Sequence, residues 1–337
     1  MRMLKYFFIV LLIGIIVFYY ASYKSSSKII YNGETMGTYY AIKINSSSEN
    51  NILHGKIKEV LKDINAQMSV FDANSEVSKI NNAEAGVWVE LSDDMAFLLK
   101  NAYDVYKKSG GAFDPTVGKL VDLWGFGTSK SEKTPSDKEI KEVLSYTGFD
   151  KLEFSNDFRK LRKKHSSTYL NLSALAKGYG VDKIAELLDA EGYSDYVVEI
   201  GGEVRAKGKR NDETDGWNIG VTNPQTGENA YVITMKDYTV ATSGDYRNYY
   251  YMGAKRVSHT ISPKTGYPAE NLLASVSVFD KNCMIADAEA TAIMSMGEKK
   301  ALQYANDNDI AVIMFIRKTD GSLDVVVSKK AEKLINK

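Results

Sequence analysis

The sequence predicts an α+β fold in which helices and strands share a single domain, and three observations support this prediction. Segments with helical periodicity occupy much of the first half of the chain, whereas residues 196–279 carry short segments rich in β-branched and aromatic residues. The two kinds of segment do not follow a regular strand–helix–strand alternation, which argues against a parallel α/β sheet. Beyond residue 30 no linker-like stretch divides the chain, and 44% of its 337 residues are apolar, enough to bury a full core.

The N-terminus has the pattern of a targeting segment. Arg2 and Lys5 precede an apolar run from Tyr6 to Ala21, which is longer than most signal-peptide cores and shorter than the roughly 20 residues that span a bilayer. Length leaves cleavage open, but a small-x-small cleavage pattern is missing, which favours an uncleaved anchor. Basic residues before the run place the rest of the chain on the extracytoplasmic side of the cytoplasmic membrane. The predicted division is a signal peptide or membrane anchor at residues 1–22, a linker at 23–30 and a folded domain at 31–337.

Charge and cysteine content exclude some classes of function. The 43 basic residues balance 43 acidic ones, so the chain lacks the excess positive charge that gathers nucleic acid, and no nucleic-acid partner is expected. Cys283 is the only cysteine, which excludes an intrachain disulfide and a Cys-based metal or redox site.

Capping signals define the predicted helices. An amphipathic helix covers Ile52–Met68, and a second helix begins after Ser92 and stops at Gly110–Gly111. Ser136 and Glu139 form a capping-box pattern for a short helix. Two further helices are predicted at about Ser173–Glu191 and Ile285–Met296.

Strands are predicted wherever short β-rich runs lie between turn residues. Two of the turns share a Pro-x-Thr-Gly form, at Pro224–Gly227 and Pro263–Gly266. The predicted strands are Thr38–Ile44, Tyr196–Ile200, Val204–Lys207, Trp217–Val221, Tyr231–Met235, Tyr238–Ala241, Arg256–Ile261 and Leu273–Phe279.

Asp287 and Thr291 are four residues apart in a predicted helix. Their oxygens therefore project from the same face and could share one hard cation. Taken alone, such a pair is more often a solvated Asp beside a Thr that bonds back to its own helix, so the pattern by itself leaves both interpretations open.

Two further segments could serve phosphate chemistry. Residues 173–180 (SALAKGYG) open a helix directly after a strand, with Lys177 in the first turns and Gly178 and Gly180 leaving room for close backbone approach, which suits a phosphate. The segment matches neither a Walker loop nor a GxGxxG fingerprint, so a plain helix start is the competing interpretation. His259 could act as a base near neutral pH, and three histidines in the whole chain make a zinc site unfavourable.

Two loop features have both a functional and a purely structural interpretation. Pro115 holds Asp114 in an extended conformation, and Gly201–Gly202 interrupts a strand between Glu199 and Glu203, as at a bulge or a close approach to a ligand. Plain turn geometry explains both equally well.

Taken together, these segments resemble the ApbE family, the FAD:protein FMN transferases. The resemblance runs in order from about Thr35 to Gly297 and is carried by the stretches ETMGTYY, MSVFDANSEVSKIN, GGAFDPTVGKLVDLWGFG, LNLSALAKGYGVDKIAELL, VVEIGGEVRAKG, VATSGDYRNYY, SHTISPKTGYP and ADAEATAIMSMG. It implies that residues 31–337 form one catalytic domain with a mixed, largely antiparallel sheet and packed helices.

The resemblance also implies particular site residues. FAD, the substrate, would contact Met36, the Ala112-Phe113-Asp114 segment, Lys177 and the Ile261 region, and His259 occupies the essential histidine position. Family Mg²⁺ ligands fall on the Ala174 main-chain carbonyl and the Asp287 and Thr291 side chains. Two departures concern positions expected to touch FAD: Asn171 stands where the family commonly has Asp, and Phe71 where it commonly has Tyr. Asn171 loses a charge but can still accept a hydrogen bond, and Phe71 keeps a stacking face.

The implied reaction is transfer of FMN from FAD to a Thr or Ser hydroxyl of another protein, with release of AMP. The family implies an acceptor that is a membrane redox subunit or a secreted flavoprotein carrying a short Thr- or Ser-containing motif. Two alternatives remain open: a Mg²⁺-dependent FAD pyrophosphatase that gives FMN and AMP, and a non-enzymatic extracytoplasmic FAD-binding protein.

Overall fold

The computed structural model describes residues 28–46, 50–128, 134–211, 214–245, 249–252, 255–269 and 272–335. The predicted anchor or signal peptide at residues 1–22 lies outside these ranges. Across the ranges given, no helix is both long and apolar enough to cross a membrane.

Strands and helices alternate irregularly along the chain. The strands are β1 (Lys28–Thr35), β2 (Thr38–Asn45), β3 (Val89–Glu90), β4 (Leu152–Phe154), β5 (Lys160–Lys163), β6 (Tyr196–Ile200), β7 (Glu203–Lys207), β8 (Trp217–Thr222), β9 (Asn229–Met235), β10 (Tyr238–Gly244), β11 (Tyr249–Met252), β12 (Lys255–Ser258), β13 (Leu273–Asp280), β14 (Ala311–Arg317) and β15 (Leu323–Val327). The helices are α1 (Asn51–Met68), α2 (Glu76–Asn82), α3 (Asp93–Lys108), α4 (Gly118–Leu123), α5 (Asp137–Ser145), α6 (Ser173–Ala190), α7 (Cys283–Met296), α8 (Glu298–Asp307) and α9 (Lys329–Ile335).

An eight-stranded sheet organises the domain. Its strand order is β1-β2-β6-β7-β10-β13-β14-β15, and every neighbouring pair is antiparallel. Three small sheets, β3-β5-β4, β8-β9 and β11-β12, lie outside it. The mixed fold with a largely antiparallel sheet is therefore as predicted.

Both faces of the central strands are covered. Val276 and Val278 of β13 pack against α7 and α8, whereas Phe279 on the opposite face packs with Trp217 and Ile233 of the β8–β9 hairpin. Seven of the eight residues of β13 are buried as a result. The N-terminal part of α6 and the middle of α7 line a cavity beside this hairpin.

The predicted helices are confirmed with shifts of one or two residues at their ends. The Ser92 hydroxyl accepts a hydrogen bond from the Met95 N–H at the start of α3, and Ser136 and Glu139 form a complete capping box at α5. Capping side chains fix helix starts because they satisfy N–H groups that have no partner inside the helix.

Two predicted boundaries are corrected. Lys28–Ile30 were assigned to a linker, but they belong to β1, where Lys28 pairs with Asn45. The predicted strand Arg256–Ile261 ends at Ser258, and Ile261 forms only an isolated bridge with Pro268. His259 therefore lies just after a strand rather than within one.

Candidate active site

Helices α6 and α7 approach closely at one point. A Cβ built on Gly178 would lie 2.7 Å from Met284 Cα and closer still to the Cys283 carbonyl oxygen, so a glycine is required there. The Asp182 carboxylate of α6 accepts the N–H groups of Cys283 (3.1 Å) and Met284 (3.0 Å), which stabilises the first turn of α7. These contacts hold the N-terminal half of α6 against the N-terminal half of α7.

The close approach brings a lysine of α6 next to an aspartate of α7. Lys177 Nζ lies 3.6 Å from Asp287 Oδ2, and the Gly178 N–H donates to the same oxygen at 3.2 Å. Asp287 is only 3% exposed. Thr291, one turn further along α7, has its Oγ1 3.2 Å from the hydroxyl of Ser243 on β10. The Asp287 and Thr291 side chains therefore share one face, as their spacing predicts.

Glu203 is a site residue that the sequence analysis did not identify. Its Oε1 lies 3.4 Å from Lys177 Nζ, and the residue is 3% exposed. Within the described residues, its Oε2 is the one buried side-chain oxygen without a hydrogen-bond partner. Burial raises the pKa of the Glu203 carboxyl, an effect that the charge of Lys177 opposes and that of Asp287 reinforces.

Lys177 remains protonated in this cluster. Burial alone would lower the pKa of its ammonium group, but the carboxylates of Asp287 and Glu203 outweigh burial and raise that pKa. One cation and two buried carboxyl groups lie together, and the unpartnered oxygen of Glu203 leaves capacity for a hydrogen-bond donor or a cation.

A cavity of about 760 Å³ opens onto this cluster. Its walls contain the predicted residues Phe71, Phe113, Asp114, Asn171, Ala174, Lys177, His259, Ile261, Asp287 and Thr291. Glu203 and residues 217–222 of the β8–β9 hairpin also line it. Residues as far apart in the sequence as Phe71 and Thr291 thus line one cavity of the size that small-molecule sites have.

Met36 and Ala112 are the two predicted site residues that do not line the cavity. Met36 lies in the β1–β2 turn with φ of 51°, and its side chain points toward Gly180 and the core. Ala112 is buried, and its carbonyl accepts a hydrogen bond from the Ser295 hydroxyl at 2.5 Å. Contact of these two residues with FAD stays a prediction.

Asp114 and Asn171 are fixed by local hydrogen bonds. The Asp114 carboxylate accepts bonds from the Thr116 N–H and hydroxyl and from the Phe149 N–H. Burial raises the pKa of Asp114 to about 6, although these bonds oppose the shift. The Asn171 Oδ1 accepts the Ser173 N–H at 3.0 Å, at the start of α6.

Phe71 and His259 both line the cavity. Phe71 lines it and is 72% exposed, so its ring is available to stack on a flat ligand. The rings of His259 and Phe126 lie in a T-shaped arrangement, with 6.3 Å between their centroids.

Gly178 and Gly180 permit close packing inside the protein and do not line the cavity. Gly178 faces the α7 backbone, and a Cβ on Gly180 would meet Met36 and Ile200, so neither glycine faces the cavity where a phosphate could approach. Gly201–Gly202, predicted as a bulge or ligand approach, forms a two-residue hairpin turn between β6 and β7 with φ of 61° and 107°. Both of these turn residues also line the cavity.

The oxygen ligands at the cluster suit a hard cation. Over the described part of the chain, no group of three or more His, Cys, Asp or Glu side chains could hold a metal ion. Asp287, Thr291 and Ala174 all line the cavity, where they would offer a carboxylate, a hydroxyl and a main-chain carbonyl to a cation. The N–H of Gly178 donates to Asp287 Oδ2 at 3.2 Å. This set of oxygens fits Mg²⁺, which prefers few carboxylates and retains ligands from substrate phosphates.

Known proteins resemble this chain in sequence and in fold. The sequence model of the ApbE family matches residues 36–314. The chain is 41% identical to an FAD:protein FMN transferase of Haemophilus influenzae, over 89% of this chain and 90% of the relative, and 37% identical to one of Vibrio cholerae, over 88% and 90%. The solved structure of the flavin transferase ApbE from Vibrio cholerae superposes with a TM-score of 0.84 at 35% identity, over 91% of this chain and 99% of that one.

The fold, the cavity and these relatives define the chain as an enzyme of the transferase class. It belongs to the ApbE family.

Proposed function

We propose that this enzyme is a Mg²⁺-dependent FAD:protein FMN transferase. It transfers FMN from FAD to a Thr or Ser hydroxyl of an acceptor protein and releases AMP. The observation that supports this proposal best is the convergence of Lys177, Asp287, Thr291 and His259 on one cavity of about 760 Å³. The names of the relatives provide the identity of the donor and of the transferred group.

Charge is the main obstacle to the reaction, because the departing AMP phosphate develops negative charge. Lys177 is held protonated beside the cavity by Asp287 and Glu203, so its ammonium group can neutralise a pyrophosphate oxygen. Asp287, Thr291 and the Ala174 carbonyl would hold Mg²⁺, which supplies further charge neutralisation when bound. These residues all belong to α6 and α7, whose close contact fixes them relative to one another.

The acceptor hydroxyl needs a base. Its oxygen forms a bond to the FMN-side phosphorus while the bond between that phosphorus and the bridging oxygen breaks, and AMP leaves with the bridging oxygen. The hydroxyl proton goes to His259, which lies in the cavity wall on a loop just after β12.

The remaining cavity residues bind and orient FAD. Phe71 offers an exposed ring for stacking, and Asn171 lies at the start of α6 with its Oδ1 already accepting the Ser173 N–H. The Asp114 carboxylate already accepts hydrogen bonds from the Thr116 and Phe149 N–H groups, so only its remaining lone pairs are available to FAD. The family commonly has Asp and Tyr where this chain has Asn171 and Phe71. The polar contacts of these two residues with FAD should therefore be weaker here, whereas the Phe71 ring can still stack.

We further propose that the enzyme acts outside the cytoplasmic membrane, tethered through its N-terminal apolar segment. The acceptor is then a membrane redox subunit or a secreted flavoprotein with a Thr- or Ser-containing motif. The apolar run from Tyr6 to Ala21 and the basic residues before it support this location.

Nucleotide analysis tests the reaction. The full-length protein in detergent is incubated with FAD, Mg²⁺ and an acceptor domain, in parallel with an acceptor whose target Thr is replaced by Val. AMP release that requires the Thr supports transfer. Equal release of FMN and AMP with both acceptors would favour the pyrophosphatase, and intact bound FAD would favour the carrier.

A further inference from the structure

The hairpin that leads to His259 is not part of the main sheet. In the described ranges, β11 and β12 pair only with each other. On one side, Val257 is buried against Trp124 and Ile140, and the Tyr250 hydroxyl donates to the Trp124 carbonyl at 3.1 Å. The apolar contacts on this side are not directional, whereas the Tyr250 hydrogen bond restrains the hairpin at β11.

A charged contact on the other side is directional. The Arg256 guanidinium of β12 donates to the Asp245 carboxylate and, at 2.6 Å, to the Asp245 main-chain carbonyl. The same guanidinium lies over the Tyr249 ring at 4.1 Å, which restricts its plane. Asp245 is 5% exposed, so little water competes for these bonds.

Asp245 is itself fixed in the main sheet. Its N–H donates to the Ala274 carbonyl at 3.2 Å, and Arg317 at the end of β14 donates to its carboxylate at 2.9 Å. Arg317 also donates to the Leu273 carbonyl at 3.2 Å. One carboxylate therefore has two arginine partners, of which one is on the hairpin and the other is on the sheet.

The position of Asp245 connects the hairpin with the cation ligands. Two residues earlier, Ser243 has its hydroxyl 3.2 Å from Thr291 Oγ1. Three residues after Arg256 comes His259. Neither Asp245 nor Arg256 lines the cavity, so neither is placed to touch FAD bound there.

We infer that Arg256 is a positioning residue: through Asp245 it sets the location of His259 relative to Thr291 and Asp287. A fork of donors on a buried carboxylate fixes both distance and orientation, which a base needs in order to reach the acceptor hydroxyl. This inference rests on the proposed role of His259.

The test compares Arg256→Gln with Arg317→Gln. Both variants remove one guanidinium from the same carboxylate, but only the first breaks the link to the hairpin, because without Arg317 the N–H of Asp245 still donates to the Ala274 carbonyl and Arg256 still bonds to Asp245. We expect Arg256→Gln to lower kcat at least about 10-fold with FAD affinity changed less than about 2-fold, and Arg317→Gln to keep kcat within about 2-fold of wild type. An additional His259→Ala substitution should abolish the effect of Arg256→Gln, because the two residues act as one unit.

Histidine NMR provides a readout that does not depend on turnover. The chain has only three histidines, His54, His165 and His259, so the ring signal of each can be assigned. Arg256→Gln should shift the His259 signal and leave the other two in place, whereas Arg317→Gln should leave all three in place. Wild-type kcat and an unshifted His259 signal in Arg256→Gln would overturn the inference.

The same data separate this inference from the proposed function. If the wild-type enzyme modifies no acceptor, the proposed transfer fails, whereas the His259 signal still reports whether Arg256 positions the hairpin. Equal loss of activity and equal shifts of all three histidine signals in both arginine variants would show a general structural role and would also overturn the inference.

Discussion

Replacement of Gly178 by alanine tests the geometry on which the site depends. This glycine lies where α6 crosses the start of α7, and an added Cβ would be 2.7 Å from both the Cys283 carbonyl carbon and Met284 Cα. These are backbone atoms, so no side-chain rotation can relieve the contact. The two helices must separate by roughly 1 Å.

Two opposing effects determine the magnitude. Overpacking of this kind costs about 1–3 kcal/mol, and the higher helix propensity of alanine offsets about 1 kcal/mol of that cost. We expect a net loss of about 1 kcal/mol in the free energy of unfolding, which lowers Tm by about 3 °C for a domain of this size. Activity should suffer more, because a displacement of ~1 Å between Lys177 and the Asp287–Thr291 pair should lower kcat about 100-fold.

Thermal unfolding and AMP release measure both effects, and Gly55→Ala is the matched control. Gly55 also lies within a helix, on the exposed face of α1, and no atom lies within 4 Å of the position that an added Cβ would occupy there. That variant should be stabilised by up to about 1 kcal/mol and remain fully active. A Gly178→Ala protein with wild-type kcat would refute the argument that the α6–α7 contact sets the site geometry.

Three further predictions address the charged groups. Asp287→Ala should lower Mg²⁺-dependent AMP release at least about 100-fold and abolish any rise in Tm on adding Mg²⁺ alone, while circular dichroism stays unchanged; full activity would contradict the cation assignment. Lys177→Met should lower FAD turnover at least about 100-fold, as followed by AMP release, and an unchanged rate would exclude a role in phosphate neutralisation. Burial raises the pKa of Asp114 from 3.8 to about 6, so its ionisation destabilises the wild type as the pH rises through this range. The free energy of unfolding of Asp114→Asn, relative to wild type, should therefore increase by about 2 kcal/mol between pH 4 and pH 7 in urea titrations, and a difference that does not vary with pH would contradict the argument.

The sequence predicted helices well where capping residues mark their ends. Ser92 and Ser136 cap α3 and α5 as expected. It predicted the last part of the chain poorly, since β14 and β15 were not identified. The β14 run AVIMFIR is buried over its first five residues, and an apolar run without alternation fits a buried strand or a buried helix equally well.

The candidate site was predicted in part for a similar reason. Asp287 and Thr291 could be paired from their spacing because helical neighbours are close in sequence. Glu203 could not be identified, since the direction of its side chain depends on the register of β7 in the sheet. The role of Gly178 depends on contact with a helix that begins 105 positions later, which no local pattern reveals. Pairing of Asp245 with Arg256 and Arg317 is likewise a product of the tertiary fold.

The most direct test of the proposed function is the intact mass of the acceptor. The full-length enzyme is mixed with FAD, Mg²⁺ and an acceptor domain bearing a Thr motif, and the acceptor is then weighed by mass spectrometry. Transfer predicts a mass increase equal to one esterified FMN, with one AMP released per modified acceptor. An acceptor of unchanged mass, in a sample where FAD has been consumed or remains bound, would contradict it.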